Sequence, residues 1–282
     1  EVEKVQISGT SQTAPVVLLK KEGKWRIEAP YNRLADGAKV ESLLGKLEGL
    51  DAKDTDVEEP ATKDLPAALA AAGLDKPVAR FEITVREADQ SKAPPAEGDS
   101  PKTTRQIVYE LGNLDAMANK INARSEGLPR INKVDNGLKD QPENQIATVV
   151  SRKAGDYRST QLFDLDQNAV TGITIERAGK KTVLKRQIGK PWMVEAPAGE
   201  ADAAEVDKLL STVLNARSAD FVADNVPATK QAAEFGLGAD ATSVTLAITP
   251  EGKPAQMAKL VLGKDRVGKP GAFGRAEIDG NA

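Results

Sequence analysis

The segment Trp25-Arg26-Ile27-Glu28-Ala29-Pro30 returns as Trp192-Met193-Val194-Glu195-Ala196-Pro197, an offset of 167 (192 − 25). Pro60-Ala61-Thr62-Lys63 returns unchanged as Pro227-Ala228-Thr229-Lys230 at the same offset. Between them Val40/Leu43/Leu44/Leu47 match Val206/Leu209/Leu210/Val213, and upstream Val2/Val5/Ile7 match Val170/Ile173/Ile175. Downstream, Gly73-Leu74 and Phe81/Ile83/Val85 match Gly236-Leu237 and Val244/Leu246/Ile248. A single short match arises by chance, but an ordered series at nearly constant spacing is a duplication. The 282 residues therefore read as one domain built twice.

Each copy carries the pattern of an α+β unit. Val2, Val5 and Ile7 mark a first strand, although their spacing departs from the strict alternation of a strand. Val16–Leu19, Glu22-Gly23-Lys24 and Trp25-Arg26-Ile27 spell a hairpin turning at Gly23; Val183–Arg186 and Trp192–Val194 do the same around Gly189. Each Trp shares a strand face with an apolar residue two positions on, Ile27 or Val194, which directs the ring to the core. Pro30 and Pro197 end those strands, since proline cannot donate to a ladder. Asp36 and Asp202 are N-cap residues for amphipathic helices, and Asp202-Ala203-Ala204-Glu205 has capping-box spacing. Pro-Ala-Thr-Lys opens a second, shorter helix that ends at Gly73 or Gly236 as a left-handed C-cap. Two strands close each copy, Ala79–Glu87 with Arg105–Gly112 and Ser243–Thr249 with Met257–Gly263. The expected fold is α+β: two tandem repeats, each a mainly antiparallel sheet with helices packed on one face.

Two stretches break the symmetry. Ala88–Thr104, rich in Pro, Ser, Gly and charge, reads as a mobile excursion between two strands, against a much shorter Pro250–Gln256 loop. Asn113–Thr160 joins the copies; Leu114/Met117/Ala118/Ile121 have helical spacing, and Ile146–Val150 reads as a strand. The expected organisation is repeat one at 1–112, a junction at 113–160 and a C-terminally truncated repeat two at 161–282. The chain opens Glu1-Val2-Glu3-Lys4 without an initiator Met and stops just after an apparent strand, so it reads as a fragment of a longer protein.

The succession of strand, hairpin with Trp on its second arm, Glu-Ala-Pro, Ala-Asp before an amphipathic helix, and Gly-Leu before a strand pair ending in Leu-Gly resembles a bacterial domain family of unknown function, usually duplicated in tandem. Tyr157–Asp164 before Val170-Thr171-Gly172-Ile173 is similar to that family's junction between repeats. The resemblance covers nearly the whole chain apart from Ala88–Thr104 and part of the junction. It implies an N-terminal transmembrane anchor, a location on the periplasmic side of the cell membrane, and genes beside ABC-type transporters of the gliding-motility auxiliary kind. It carries over no catalytic residue.

The chemistry-bearing inventory is narrow. With no His and no Cys, His-based triads, thiolate nucleophiles, Cys/His zinc sites, iron–sulfur clusters and disulfides are excluded within the chain. Gly263-Lys264-Asp265-Arg266-Val267-Gly268-Lys269-Pro270 satisfies the phosphate-loop spacing but has Pro270 where a Mg²⁺-binding hydroxyl is needed, and reads as a glycine-rich hairpin. Asp164, Asp166 and Asn168 have calcium-loop spacing, yet Ala169 and Ile175 stand where that loop needs Gly and Glu, so they read as a polar turn. Glu28 and Glu195 recur, as paired catalytic carboxylates could, but their place suits solvent-facing strand positions. Trp25 and Trp192 could stack a sugar, but their shared slot points to core packing. A net charge of −3 with scattered basic residues and 4% aromatics argues against nucleic acid.

No catalytic, cofactor-binding or metal-binding residue is therefore expected. The leading expectation is a non-enzymatic extracytoplasmic interaction module of a membrane-anchored accessory protein, held to the membrane through a segment missing from this chain. Its expected partner is a protein, an ABC-type transporter permease or another envelope component. The alternatives are a glycan- or peptide-binding module using a groove between the repeats and, more remotely, a carboxylate-dependent hydrolase. Ala88–Thr104 and the 113–160 stretch are the candidates for specificity because they break the repeat.

Overall fold

The computed structural model describes residues 1–50, 52–53, 56–89, 101–223, 226–252 and 254–278. The chain forms two compact units, Glu1–Ser159 and Thr160–Ala282. In the first unit the elements are β1 (Val2–Ser8), β2 (Val16–Lys21), β3 (Lys24–Ala29), β4 (Arg33–Leu34), α1 (Gly37–Glu48), β5 (Val57–Glu58), α2 (Leu65–Ala72), β6 (Ala79–Ala88), β7 (Lys102–Asp115), β8 (Lys120–Ser125), β9 (Ile131–Asp135) and α3 (Ile146–Val150). Its nine strands run β4-β3-β2-β1-β6-β7-β8-β9-β5, antiparallel throughout. The second unit has β10 (Val170–Arg177), β11 (Lys180–Lys185), β12 (Met193–Ala196), β13 (Gly199–Glu200), α4 (Ala203–Leu214), α5 (Ala228–Phe235), β14 (Thr242–Ile248), β15 (Gln256–Asp265) and β16 (Ala272–Ile278). Its order, β13-β12-β11-β10-β14-β15-β16, repeats the first seven positions of the other sheet. The fold is α+β with two antiparallel sheets, as the sequence pattern requires.

The uneven strand spacing has a structural cause. Between β1 and β6 the register shifts at Val2/Lys4, and between β10 and β14 it shifts at the matching Val170/Gly172. The extra residue of a bulge turns a two-residue step into three, so Val2, Val5 and Ile7 can all face one side. A second shared shift lies between β2 and β3 and between β11 and β12, beside Glu28 and Glu195. A third follows Leu111 on β7 and Leu262 on β15.

One face of each sheet is covered by the long helix. Val40, Leu43 and Leu47 of α1 join Val5, Ile7, Leu18, Phe81 and Ile83, while Val206, Leu210 and Val213 of α4 join Ile173, Leu184, Leu246 and Leu260. Asp36 caps α1 by accepting from the Lys39 amide, and Asp202 caps α4 by accepting from the Ala204 and Glu205 amides. Glu205, expected to reach back to that cap, lies 3.8 Å from Lys208 Nζ. Trp25 and Trp192 sit in the cores at 4% and 6% exposure, each under a cation, Lys20 or Arg186.

The short helix takes the opposite face, a departure from helices gathered on one side. Ile121 and Val134 face the main core, whereas Ile131, an odd number of residues from Val134, packs with Ala72 and Leu74 at the end of α2. In the second unit Ala276 and Ile278 face the core, so Phe273 and Arg275 face away, and there they meet Phe235 and Gln231 of α5. Gly73 and Gly236 end these helices in the left-handed region, with φ of 70° and 69°. The Leu-Gly signature now has its reason. A Cβ on Gly112 would lie 2.2 Å from the Ala72 carbonyl oxygen, and one on Gly263 2.1 Å from that of Phe235. The glycines let a helix end rest directly on the sheet.

Residues 113–159 fold into the first unit, and two local expectations change there. Leu114 and Ile121 are cross-strand partners in the β7–β8 hairpin, not one stripe of a helix. Asp115 accepts from the amides of Met117 and Ala118, Asn119 adopts φ 56°, and Met117 is left 94% exposed. Seven residues separate neighbours across such a hairpin as readily as across two helical turns, so periodicity alone could not choose. Ile146–Val150 is one helical turn, not a strand; it buries Ile146, Val149 and Val150 and is held by the Ala147 amide donating to Asn136 Oδ1. Packing overrides the β-branched propensity here. Tyr157 is buried in the first core and Phe163 in the second, so the junction signature carries one anchor for each. Of the Ala88–Thr104 tract, residues 90–100 lie outside the described residues.

Replacing Gly112 or Gly263 by Ala should cost about 1–3 kcal/mol in urea unfolding, because helix and sheet must separate. Gly45→Ala at an exposed position of α1, where no described atom outside the helix backbone lies within 4 Å of the new Cβ, should instead stabilise by about 0.5–1 kcal/mol. Trp25 Nε1 donates to Glu41 at 2.7 Å, whereas buried Trp192 Nε1 has no partner among the described residues. The residue in Glu41's place on α4 is Asp207, one methylene shorter. Asp207→Glu should therefore raise the thermal midpoint, by the equivalent of about 1 kcal/mol; an unchanged midpoint would show that reach is not what leaves Trp192 unpaired.

Candidate functional site

The sequence candidates fall into structural roles. Gly263 supports the end of α5, and Arg266–Gly271 form the β15–β16 turn, closed by the Arg266 amide on the Gly271 carbonyl at 3.0 Å. A hairpin turn offers no helix N-terminus to a phosphate. Asp166 accepts from the Asn168 amide at 2.9 Å and caps a short 3₁₀ turn leading into β10. Arg186 braces that turn by donating to the Val170 and Gln167 carbonyls. Glu28 and Glu195 lie on exposed strand positions, paired with Lys21 at 3.5 Å and Lys185 at 2.8 Å. The two Trp rings are spent on core packing and cannot offer a stacking face.

The charged constellation that sequence reasoning passed over lies on the first sheet, on the face away from α1. Cross-strand register sets Arg80 of β6 opposite Glu110 of β7, and Glu110 opposite Arg124 of β8. Arg80 Nη1 donates to Glu110 Oε1 at 2.8 Å, and Arg124 Nε and Nη2 donate to Glu110 Oε2 at 2.9 and 2.5 Å. Arg80 also holds Glu126 through both terminal nitrogens, at 3.0 and 3.1 Å, and Glu82 through Nε at 3.2 Å. Gln106 donates to the far oxygen of Glu82. The Glu110 side chain is only 7% exposed, so a carboxylate held between two guanidiniums is what makes its burial tolerable. The signal was present in the alternation Arg80-Phe81-Glu82, but which charges meet depends on strand register, which periodicity does not state.

This arrangement binds charge to charge. The hydrogen bond from Arg80 holds the Glu126 carboxyl below its ordinary range, and Glu126 foremost holds the Arg80 guanidinium even more firmly protonated. With its donors spent on carboxylates, the cluster presents a fixed polar surface, not an anion pocket or an acid–base pair. The second sheet has rebuilt the same face: the register positions of Arg80, Glu110 and Arg124 are taken by Ser243, Val261 and Arg275. There Ser243 donates to Glu176, and Arg275 turns to Glu277 and Gln231.

A carboxylate with a lowered folded pKa stabilises above its unfolded pKa and loses that contribution as the pH falls through the folded value. Unfolding free energy should therefore fall as the pH drops through and below the ordinary carboxylate range, and Glu126→Gln should flatten that limb while lowering stability at neutral pH. An identical acid limb in the variant would remove Glu126 from the pH dependence.

Among the described residues no helix is long and apolar enough to cross a membrane. Comparison with curated proteins and with solved structures gave no match. A family model described as Domain of unknown function (DUF4340) matches residues 25–225, more than two thirds of the chain, from Trp25 on β3 past the end of α4. The chain, with its paired sheets and its recurring Trp, Asp cap and Leu-Gly contact, belongs to the DUF4340 family.

Proposed function

We propose that this protein is a non-enzymatic interaction module exposed outside the cytoplasm, attached to the membrane through a segment beyond this sequence. On this reading it works beside an ABC-type transporter or another envelope assembly. The observation that carries it is the unequal treatment of the two repeats. Bulges, caps, Trp anchors and glycine contacts are kept, while the face away from the long helix changes from Arg80/Glu110/Arg124 to Ser243/Val261/Arg275. Duplication that preserves the frame and changes the chemistry it carries supports contact with other proteins, because the two units then offer different side chains on one fold. The absence of His and Cys from the chain is in keeping with binding over turnover. Burial of both Trp rings weighs against the glycan-stacking alternative.

Full-length protein extracted from membranes should co-purify with an ABC-type permease or another envelope component, identified by mass spectrometry and confirmed by reciprocal capture. Recovery of the full-length protein from the cytoplasm, or turnover of a small-molecule substrate, would overturn the reading.

A further inference from the structure

Asn136 and Gly137 form the one Asn-Gly step in the sequence. In such a pair the Gly amide nitrogen can attack the Asn side-chain carbonyl carbon, because no Cβ on the second residue crowds the approach. The structure places this step between β9 and α3. Asn136 is 1% exposed and is one of three buried polar or charged residues among those described.

Each polar atom of Asn136 is engaged. Its amide donates to the Asn119 carbonyl and its carbonyl accepts from the Ile146 amide, both at 2.9 Å. Oδ1 accepts from the Ala147 amide at 2.9 Å, and Nδ2 donates to Asn119 Oδ1 at 3.3 Å. On the next residue, Asn119 Nδ2 donates to the Gly137 carbonyl at 2.6 Å. Asn119 thus holds the chain on both sides of the 136–137 peptide, and the start of α3 holds the side-chain amide. Among the described residues no acceptor takes the Gly137 N–H. The attacking nitrogen is free, while the carbon it would attack is fixed in place.

We infer that Asn136-Gly137 is a latent deamidation site, kept unreactive by Asn119 and α3, and that its conversion to isoaspartate releases α3 from the first core. The Gly137 nitrogen gives its proton to water or hydroxide and bonds to Asn136 Cγ; the Cγ–Nδ2 bond breaks and Nδ2 leaves as ammonia. Water then opens the cyclic imide at the former main-chain carbonyl, so that the chain runs through Cγ and a carboxylate stands where that carbonyl was. No oxidant or reductant takes part. A main chain one methylene longer does not keep both Asn119 contacts, and the carbonyl that accepts from Ile146 is lost from its place. Ile146, Val149 and Val150, buried in the first core, then lose their tether. Because Asn136 must leave its partners before it reacts, the rate reports local opening of α3.

The test incubates the chain in warm, mildly alkaline buffer beside a capped peptide of sequence Ile131–Gln141 and reads position 136 by mass spectrometry. The peptide should convert about tenfold faster than the folded chain, or more. Asn119→Gly suits the φ of 56° and removes both side-chain contacts, so it should move the chain toward the peptide's rate. Unchanged amide exchange at Phe81 in that variant separates local opening from global unfolding. Isoaspartate chain, separated by its extra negative charge, should exchange the Ile146–Val150 amides about tenfold faster, with exchange in β14 unchanged. A folded chain that resists conversion altogether is converted in urea and refolded before that measurement. Equal rates in peptide and chain, or unchanged exchange at α3 after conversion, overturn the inference, and these wild-type comparisons decide it even where Asn119→Gly misfolds. An Asn119→Gly chain that folds but converts no faster overturns the role of Asn119.

Discussion

Because a one-residue slip would turn every core side chain of a strand to the opposite face, the packing of α1 and α4 rests on the three register shifts that the two sheets share. The first lets Val2 and Val170 face the same side as Val5 and Ile173 despite an odd spacing. The third falls beside the glycines on which the short helices end. A bulge raises local twist and redirects the strand that bears it. Bulge and glycine together bring a helix terminus onto the face opposite the main core. The long helix, the sheet and the short helix are therefore three layers held by one set of backbone offsets.

Within that frame the two repeats resolve the same problems with different chemistry. Trp25 has an acceptor in Glu41, whereas Trp192 has a closer cation, with Arg186 at 4.6 Å against 5.7 Å for Lys20, and no acceptor among the described residues. The buried Tyr157 hydroxyl also lacks a partner among the described residues, and burial pushes its pKa upward, away from any working range. These groups lie inside the two cores and tax stability there. The faces away from the long helices differ most: an ionic ladder around buried Glu110 on one sheet, and buried Val261 with the Phe235–Phe273 pair on the other.

Much of each unit was legible from residue pattern. The Asp caps, the left-handed Gly73 and Gly236, the hairpin at Gly23 and the burial of both Trp residues follow from local rules. Local rules misread Leu114–Ile121 and Ile146–Val150, since short apolar runs satisfy strand, helix and hairpin alike, and only neighbours such as Asn136 decide among them. The candidate faces were less legible still. Glu110 is one of 42 acidic residues until the register sets it between Arg80 and Arg124.

The sequence by itself determined the duplication, the α+β class and the exclusion of His- and Cys-dependent chemistry, because these depend on identity, order and short-range conformational preference. The tertiary structure decided which charges pair, which helix lies on which face, and which strand is left at an edge. Those outcomes turn on strand order and register, in which residues distant in the chain come within a hydrogen bond's length of one another, and no local pattern encodes that meeting.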